Sequence, residues 1–359
     1  MYNAQHYLPD TRLRPTMTSQ RREQAWHPAN WGQALATALL WLLARLPWRL
    51  AIRLGTGLGH LLYYLARDRR YVVRRNLELC FPDLDPDERE RWVRANFGYT
   101  GRGVAEVALG WFGGPAVDRV PCRFHGMEHL ETAHEAGDPV ILLSGHFSCI
   151  EMAGRLFGAQ VPMAAIYKPM DKKPVLERAL RSGRERKLER VISKDDIRGI
   201  LRKLKKGGTI WYAGDQNMRR TEQVFAPFFG MQASTTTGLS RLARMGRARV
   251  LPMFYYVNDA GDGYEFVVGP PLEDYPSEDR ARDAARMNAV LEDAVRHAPQ
   301  QYFWAHRRFK TQPEDAPDPY PGLRTKHIGR MPWQKNKKKK ALKKKRKKAA
   351  REQGPDDAS

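Results

Sequence analysis

The stretch Val140-Ile141-Leu142-Leu143-Ser144-Gly145-His146-Phe147-Ser148-Cys149-Ile150-Glu151 decides how this chain is read. An apolar run of strand length that ends in a turn reads as a strand buried on both faces, the kind found in parallel sheets. In open sheets of that kind ligands sit beyond the carboxyl ends of the strands, and the run delivers His146 there. Glu151 follows five residues later, where a helix begins. At about 100° per residue, positions five apart lie roughly 140° apart on a helix and share no face. His146 therefore precedes the helix, and Glu151 reaches back from its first turn. A general base with an orienting carboxylate fits this spacing. Plainer readings stay open: Ser148-Cys149-Ile150-Glu151 has the form of a capping box with Ser148 as N-cap, and His146 can be a satisfied polar residue at a strand end.

Outward from this stretch, short β-type runs alternate with helical ones. The pattern predicts strands over residues 122–125, 140–144, 161–167, 191–193, 209–213, 250–257 and 264–269. Helices fall at 128–135, 151–157, 173–188, 195–206, 237–245 and 278–297, and helical periodicity also covers 31–67 and 85–109. Such alternation predicts an α/β fold with a largely parallel central sheet covered by helices. The turn cluster Asn258-Asp259-Ala260-Gly261-Asp262-Gly263 makes the last two strands a hairpin at one edge. There is no internal repeat. The expected organisation is a flexible N-terminus over 1–30, a membrane-associated helical region over 31–120, an α/β catalytic domain over 121–312 and a disordered basic tail over 313–359.

The chain has 359 residues, 42% of them hydrophobic, enough for one large α/β domain or two smaller ones. Its three cysteines, Cys80, Cys122 and Cys149, form neither a disulfide framework nor a C-x-x-C metal site, which fits a reducing, cytosol-facing location. The net charge of +22 is uneven. From Lys335 onward twelve Lys/Arg stand against three acidic residues, a net +9, leaving +13 on the rest. The lysine runs repel one another and lack core-forming residues, so this tail is expected to be disordered. It can bind nucleic acid or anionic lipid only nonspecifically. The remaining +13 calls for an acidic partner. No window reaches the ~20 apolar residues of a spanning helix. Residues 34–44 and 50–66, flanked by Trp31, Trp41, Trp48, Tyr63 and Tyr64, read instead as an N-terminal helical hairpin lying in a membrane interface. An ordinary buried hairpin is the alternative. No cleavage site marks a signal peptide, and Met17 is a candidate start.

Four further constellations accompany His146. Trp211-Tyr212-Ala213-Gly214-Asp215-Gln216-Asn217 puts Asp215 at a second strand end, on the same rim. Arg181, Arg184, Arg186 and Lys187 share a helical stretch. Ala233-Ser234-Thr235-Thr236-Thr237-Gly238 opens a helix, a natural anion site or plain capping. Trp304-Ala305-His306-Arg307-Arg308-Phe309-Lys310 suits an anionic headgroup or a surface ridge. A nucleophile elbow, H-E-x-x-H and a Walker A loop are all missing. Gly55-Thr56-Gly57-Leu58-Gly59 has no preceding strand and reads as close helix packing.

These residues together resemble the bacterial lipid A biosynthesis (late or secondary) acyltransferases, within the lysophospholipid and glycerol-phosphate acyltransferase superfamily. The resemblance rests on the H-x4-E motif of His146 and Glu151, Asn76-Leu77 with Cys80-Phe81-Pro82, and Gly126 with Glu128-His129-Leu130. It extends to Tyr167-Lys168-Pro169, Asp215-Gln216, Pro227-Phe228-Phe229-Gly230 with its Thr-rich loop, and His306-Arg307-Arg308-Phe309-Lys310. It covers residues 31–310. It implies a glycerol-phosphate acyltransferase-like fold at the cytoplasmic face of the inner membrane, needing no cofactor. The implied reaction moves a fatty acyl chain from acyl carrier protein to a hydroxyl of a lipid A precursor. By the same resemblance His146 and Glu151 are the catalytic dyad, and Arg184, Asp215, Thr236, His306 and Arg307 are substrate-binding candidates. Gly214, Asn217 and Lys168 depart from the family's usual proline, acidic residue and arginine, as does the Phe-Ser-Cys-Ile filling of the motif, so the acceptor and chain length stay open. Another lipid acceptor, a lysophospholipid or an ornithine lipid, is the alternative within enzymes. A membrane- or RNA-associated basic binding protein is the alternative outside them.

Overall fold

The structure is a computed structural model that describes residues 27–218 and 223–323. The candidate start at Met17 and the lysine-rich tail lie outside the described residues.

The run that opens the sequence reading is β2 (Val140–Ser144), and all five residues are fully buried. Burial on both faces follows from its place in the middle of a seven-stranded sheet. The strand order is β1 (Cys122–His125), β9 (Tyr264–Val268), β8 (Arg249–Val257), β2, β5 (Thr209–Ala213), β3 (Met163–Tyr167), β4 (Arg190–Ser193). From β8 to β4 the strands run parallel, whereas β9 is antiparallel to β8 and β1 is parallel to β9. The predicted α/β sheet is therefore present and mostly parallel. The β8–β9 hairpin forms but does not end the sheet: β1 pairs with β9 along its whole length and becomes the outer strand.

Among the described residues, the helices preceding the sheet are α1 (Trp31–Leu43), α2 (Trp48–Leu65), α3 (Arg67–Cys80) and α4 (Pro86–Phe112). Those between and after its strands are α5 (Met127–Glu135), α6 (Ile150–Gly158), α7 (Pro174–Arg184), α8 (Ile197–Leu204), α9 (Gly238–Gly246) and α10 (Arg280–His297). Helix α2 turns Ala51, Gly55, Gly59 and Tyr63, four residues apart, inward. An added Cβ at Gly55 would lie 2.7 Å from the Gly101 carbonyl, and one at Gly59 would lie 2.1 Å from that of Phe97. The glycine run is thus a close crossing with α4, as its missing strand implied. The opposite stripe of α2, Leu50, Leu54, Leu58, Leu61 and Leu65, is 42–67% exposed. Helix α1 buries no residue and exposes Trp31, Leu35, Leu39 and Leu42 by 55–67%. Within this chain the hairpin is buried on one side only, α1 burying no residue and α2 one face. No helix among the described residues is long and apolar enough to cross a membrane.

A second small sheet was not anticipated. β6 (Gln223–Phe228) and β7 (Met231–Thr236) pair antiparallel across Phe229-Gly230, whose φ values of 49° and 73° are those of a primed hairpin turn. The segment after α10 backs this hairpin rather than forming a surface ridge. Trp304, Arg308 and Phe309 are 0–2% exposed. The Arg308 guanidinium donates to the Ser234 carbonyl at 2.9 Å and to Thr235 Oγ1 at 3.1 Å. Both terminal nitrogens of this buried guanidinium are engaged in the interior, Nη2 also reaching Asn288 Oδ1 at 3.3 Å, while Nε has no partner; the cation serves the packing of the hairpin.

Candidate functional site

Strand register builds the site. Ser144 at the end of β2 lies opposite Ala213 at the end of β5. Each is followed by glycine and then, two residues past the pair, by His146 and by Asp215. Side chains would obstruct both turns: a Cβ at Gly145 would stand 2.7 Å from Leu291, and one at Gly214 2.5 Å from the Tyr212 ring. Two parallel strands ending level thus bring imidazole and carboxylate together. His146 Nδ1 and Asp215 Oδ1 are 2.5 Å apart. The His146 backbone N–H and the Tyr302 hydroxyl each donate to Asp215 Oδ2 at 2.9 Å.

Asp215 is 2% exposed. Burial alone would raise its pKa, but the charge and hydrogen bonds of His146, helped by Tyr302, hold it well below the usual carboxylate range. For His146 burial pulls downward, and the charge and hydrogen bond of Asp215 outweigh it, leaving the group above its ordinary value. With Nδ1–H donated to an ionised carboxylate, Nε2 is left as the proton acceptor in the neutral ring. About 29% of this side chain remains exposed, and it lines a cavity.

Glu151 does not reach back to His146, contrary to the sequence expectation. Its carboxylate accepts from Arg184 Nη2 at 2.6 Å and Nε at 3.1 Å, and from Trp111 Nε1 at 2.8 Å. The capping box is not formed either: Cys149 is the N-cap without a side-chain bond, and Ser148 Oγ is buried and unpartnered. The reason is competition. A guanidinium offers a bidentate, charge-assisted partner that a backbone N–H cannot match, and Asp215 already holds Nδ1. For Glu151 burial pushes upward and Arg184 outweighs it, so the net shift is down; for Arg184 burial pulls downward and Glu151 outweighs it, so the net shift is up. Both are charged. Helix α4 lies close behind: a Cβ at Gly103 would come 2.8 Å from the Ser148 carbonyl, and one at Gly110 3.0 Å from that of Glu151.

The cavity holds about 650 Å³. Of the predicted residues, His146, Glu151, Arg184 and Thr236 line it, together with Lys168, Lys194 and Arg241. The rest of its wall is largely apolar, with Ile150, Gly154, Leu180, Leu188, Ile197, Ile200, Trp211 and Leu242. Asp215 sits behind His146. Thr236 Oγ1 accepts from the Gly238 N–H at 2.9 Å, a local turn bond, while the helix N-cap is Thr237. His306 does not line the cavity: its Nε2 accepts from the Asn217 N–H at 2.9 Å, and burial pulls its pKa down to about 4, so the ring is neutral. Arg307 does not line it either. Sequence reasoning missed Trp111 and Tyr302, which bind the two carboxylates from distant segments, and no local motif marks either.

Chemically, the arrangement offers a proton acceptor backed by a buried anion, a fixed guanidinium–carboxylate pair beside it, and an apolar chamber. That suits transfer of a group carrying a hydrocarbon chain. The family model described as bacterial lipid A biosynthesis acyltransferase matches residues 18–311. The chain is 38% identical to the lipid A biosynthesis lauroyltransferase of Escherichia coli (strain K12), over 82% of this chain and 96% of that protein. It is 34% identical to the palmitoleoyltransferase of the same strain over 80% and 94%, and 27% identical to its myristoyltransferase over 82% and 91%. This chain belongs to the bacterial lipid A biosynthesis acyltransferase family and is an acyltransferase.

Proposed function

We propose that the protein moves a fatty acyl chain from acyl carrier protein to a hydroxyl of a lipid A precursor, with His146 as general base. Nε2 takes the proton of the acceptor hydroxyl as its oxygen attacks the thioester carbonyl. Asp215 keeps the imidazole in the Nδ1–H tautomer and stabilises the imidazolium, which then protonates the leaving thiolate. Arg184, steered by Glu151, supplies a donor to the developing oxyanion. The acyl chain lies against the apolar wall from Ile150 to Leu242. The names of the relatives span lauroyl, myristoyl and palmitoleoyl groups, which accords with a chamber sized for one fatty chain.

The exposed apolar stripes of α1 and α2 support a position on the cytoplasmic face of the inner membrane, helices lying in the interface. Burying one leucine side chain contributes about 1.5–3 kcal/mol, so the nine side chains of these two stripes suffice for stable attachment even when partly inserted. Arg45, Arg49 and Arg53 in the same segment favour anionic phospholipid headgroups.

One observation carries the mechanism: an imidazole paired through Nδ1 to a buried carboxylate at the wall of an apolar cavity. Purified protein incubated with acyl carrier protein thioesters and a lipid A precursor should yield a product heavier by one acyl group. His146→Ala should cut the rate by about 10²- to 10⁴-fold. Near-normal transfer in that variant, or acylation of a lysophospholipid in preference, would overturn the proposal.

A further inference from the structure

We propose that Tyr302 is a positioning residue for Asp215, and that residues 301–303 act as a clamp holding both members of the His146–Asp215 pair. The inference rests on the reading of His146 as general base.

The clamp grips the backbone on both sides of the imidazole. The Phe303 N–H donates to the His146 carbonyl at 2.9 Å, and the Ser148 N–H donates to the Gln301 carbonyl at 2.8 Å. Tyr302 and Phe147 face each other between these two bonds as an isolated antiparallel bridge. The same residue that completes the bridge sends its hydroxyl to Asp215 Oδ2. Backbone and carboxylate are thereby referenced to one short segment.

The segment is itself fixed. Asn96 on α4 donates through Nδ2 to the Gln300 and Tyr302 carbonyls at 2.8 and 2.7 Å. The Gln301 amide is bonded in both directions to the backbone of Val257 at the end of β8, at 2.8 and 2.9 Å. The Tyr302 ring packs edge-on against Phe147 and Trp304, with centroids 5.5 and 4.9 Å away. Its hydroxyl is 87 residues from Asp215 in sequence and keeps its proton to donate, since burial raises the phenol pKa.

The electrostatic consequence has a definite sign. Asp215 is buried and carries three donors: the Nδ1–H and backbone N–H of His146, and the Tyr302 hydroxyl. Removing the last leaves the carboxylate less stabilised, so its charge is drawn more strongly onto the imidazole. The other charged or titratable groups around the pair are Glu151 on α6, Arg184 on α7, His306 and Arg308 after α10, and Lys168, Lys194 and Arg241 in the cavity wall, and the substitution alters none of them.

Tyr302→Phe keeps the ring and removes only the hydroxyl. Tyr264→Phe is the matched control, because it removes a buried hydroxyl bonded to Glu106 at 2.8 Å and not to the His146–Asp215 pair. His146 is titrated in the full-length protein by NMR of labelled histidine, without substrate, and assigned with His146→Gln. The pH profile of acyl transfer and the thermal melt are measured beside it. In Tyr302→Phe the His146 titration and the acidic limb of the rate profile move to higher pH, and kcat falls about tenfold, equivalent to about 1.4 kcal/mol. In Tyr264→Phe neither limb nor titration moves, whatever happens to the melt. An unchanged His146 titration in Tyr302→Phe, or an equal shift in both variants, overturns the clamp. Absence of acyl transfer in the unmodified protein would instead defeat the functional reading, while the substrate-free titration would still decide the clamp.

Discussion

The site has two carboxylates in two settings. Asp215 is held by neutral donors and one titratable ring, in a layer behind the cavity wall. Glu151 lines the cavity and is locked to a guanidinium. A carboxylate paired with histidine can share in proton movement, because its partner changes charge between neutral and imidazolium. One paired with arginine keeps a permanent charge partner and can only aim it. The motif Glu at His146 plus five is therefore suited to place Arg184, and the orienting of the imidazole falls to a residue from another strand.

The sharpest way to break this division is Asp215→Asn. It should lower kcat by about 10³- to 10⁴-fold, since an amide in that place admits the wrong imidazole tautomer. The unmodified protein should lose activity as pH falls through the raised His146 pKa, because the base is then already protonated; the limb should stand above that of an ordinary histidine. Next comes Glu151→Gln, expected to cost about 10²- to 10³-fold, the range for one oxyanion donor. Adding Arg184→Ala to it should cost little more, because the pair acts as a unit. If Glu151→Gln were the more damaging of the two carboxylate changes, the assignment would be reversed. Smaller again is Leu39→Glu with Leu58→Glu, which should reduce sedimentation with anionic vesicles by about 10- to 100-fold at unchanged fold. The smallest effect is on selectivity. A Cβ at Gly154 would stand 3.1 Å from the Trp211 ring in the cavity wall. Gly154→Ala should shift preference toward the shorter of two donors by about fourfold per methylene excluded, read by weighing products from mixed thioesters.

Much of the fold was legible because strands buried on both faces write themselves as continuous apolar runs. Residues 140–144 and 209–213 coincide with β2 and β5 to the residue. What escaped was written in other terms. Helix α3 is so rich in arginine that its inward residues Val72, Val73, Asn76, Leu77 and Cys80 gave no apolar stripe. The β6–β7 hairpin hides behind Pro227 and a run of threonines whose hydroxyls read as caps. The pairing of His146 with Asp215 depends on β2 and β5 being neighbours in register, and strand order is not a local property of sequence. The sequence placed both residues on one rim, but it gave the carboxylate role to Glu151 because only that partner was close along the chain. The resemblance makes His306 and Arg307 substrate-binding candidates; the Arg308 anchor beside them shows that a cation-rich run can serve the interior.

Helix α4 gives the molecule a mechanical character. Its glycines at 98 and 101 receive α2, the helix with the exposed leucine stripe, and those at 103 and 110 receive the turn after β2 and the start of α6. These four contacts lie along thirteen residues, about 18 Å of a single rod. The exposed leucine stripe of α2 and the turn that carries His146 are thus bolted to one beam, so a kink in it, such as Arg102→Pro at a buried arginine, would shift His146 and Glu151 without touching either.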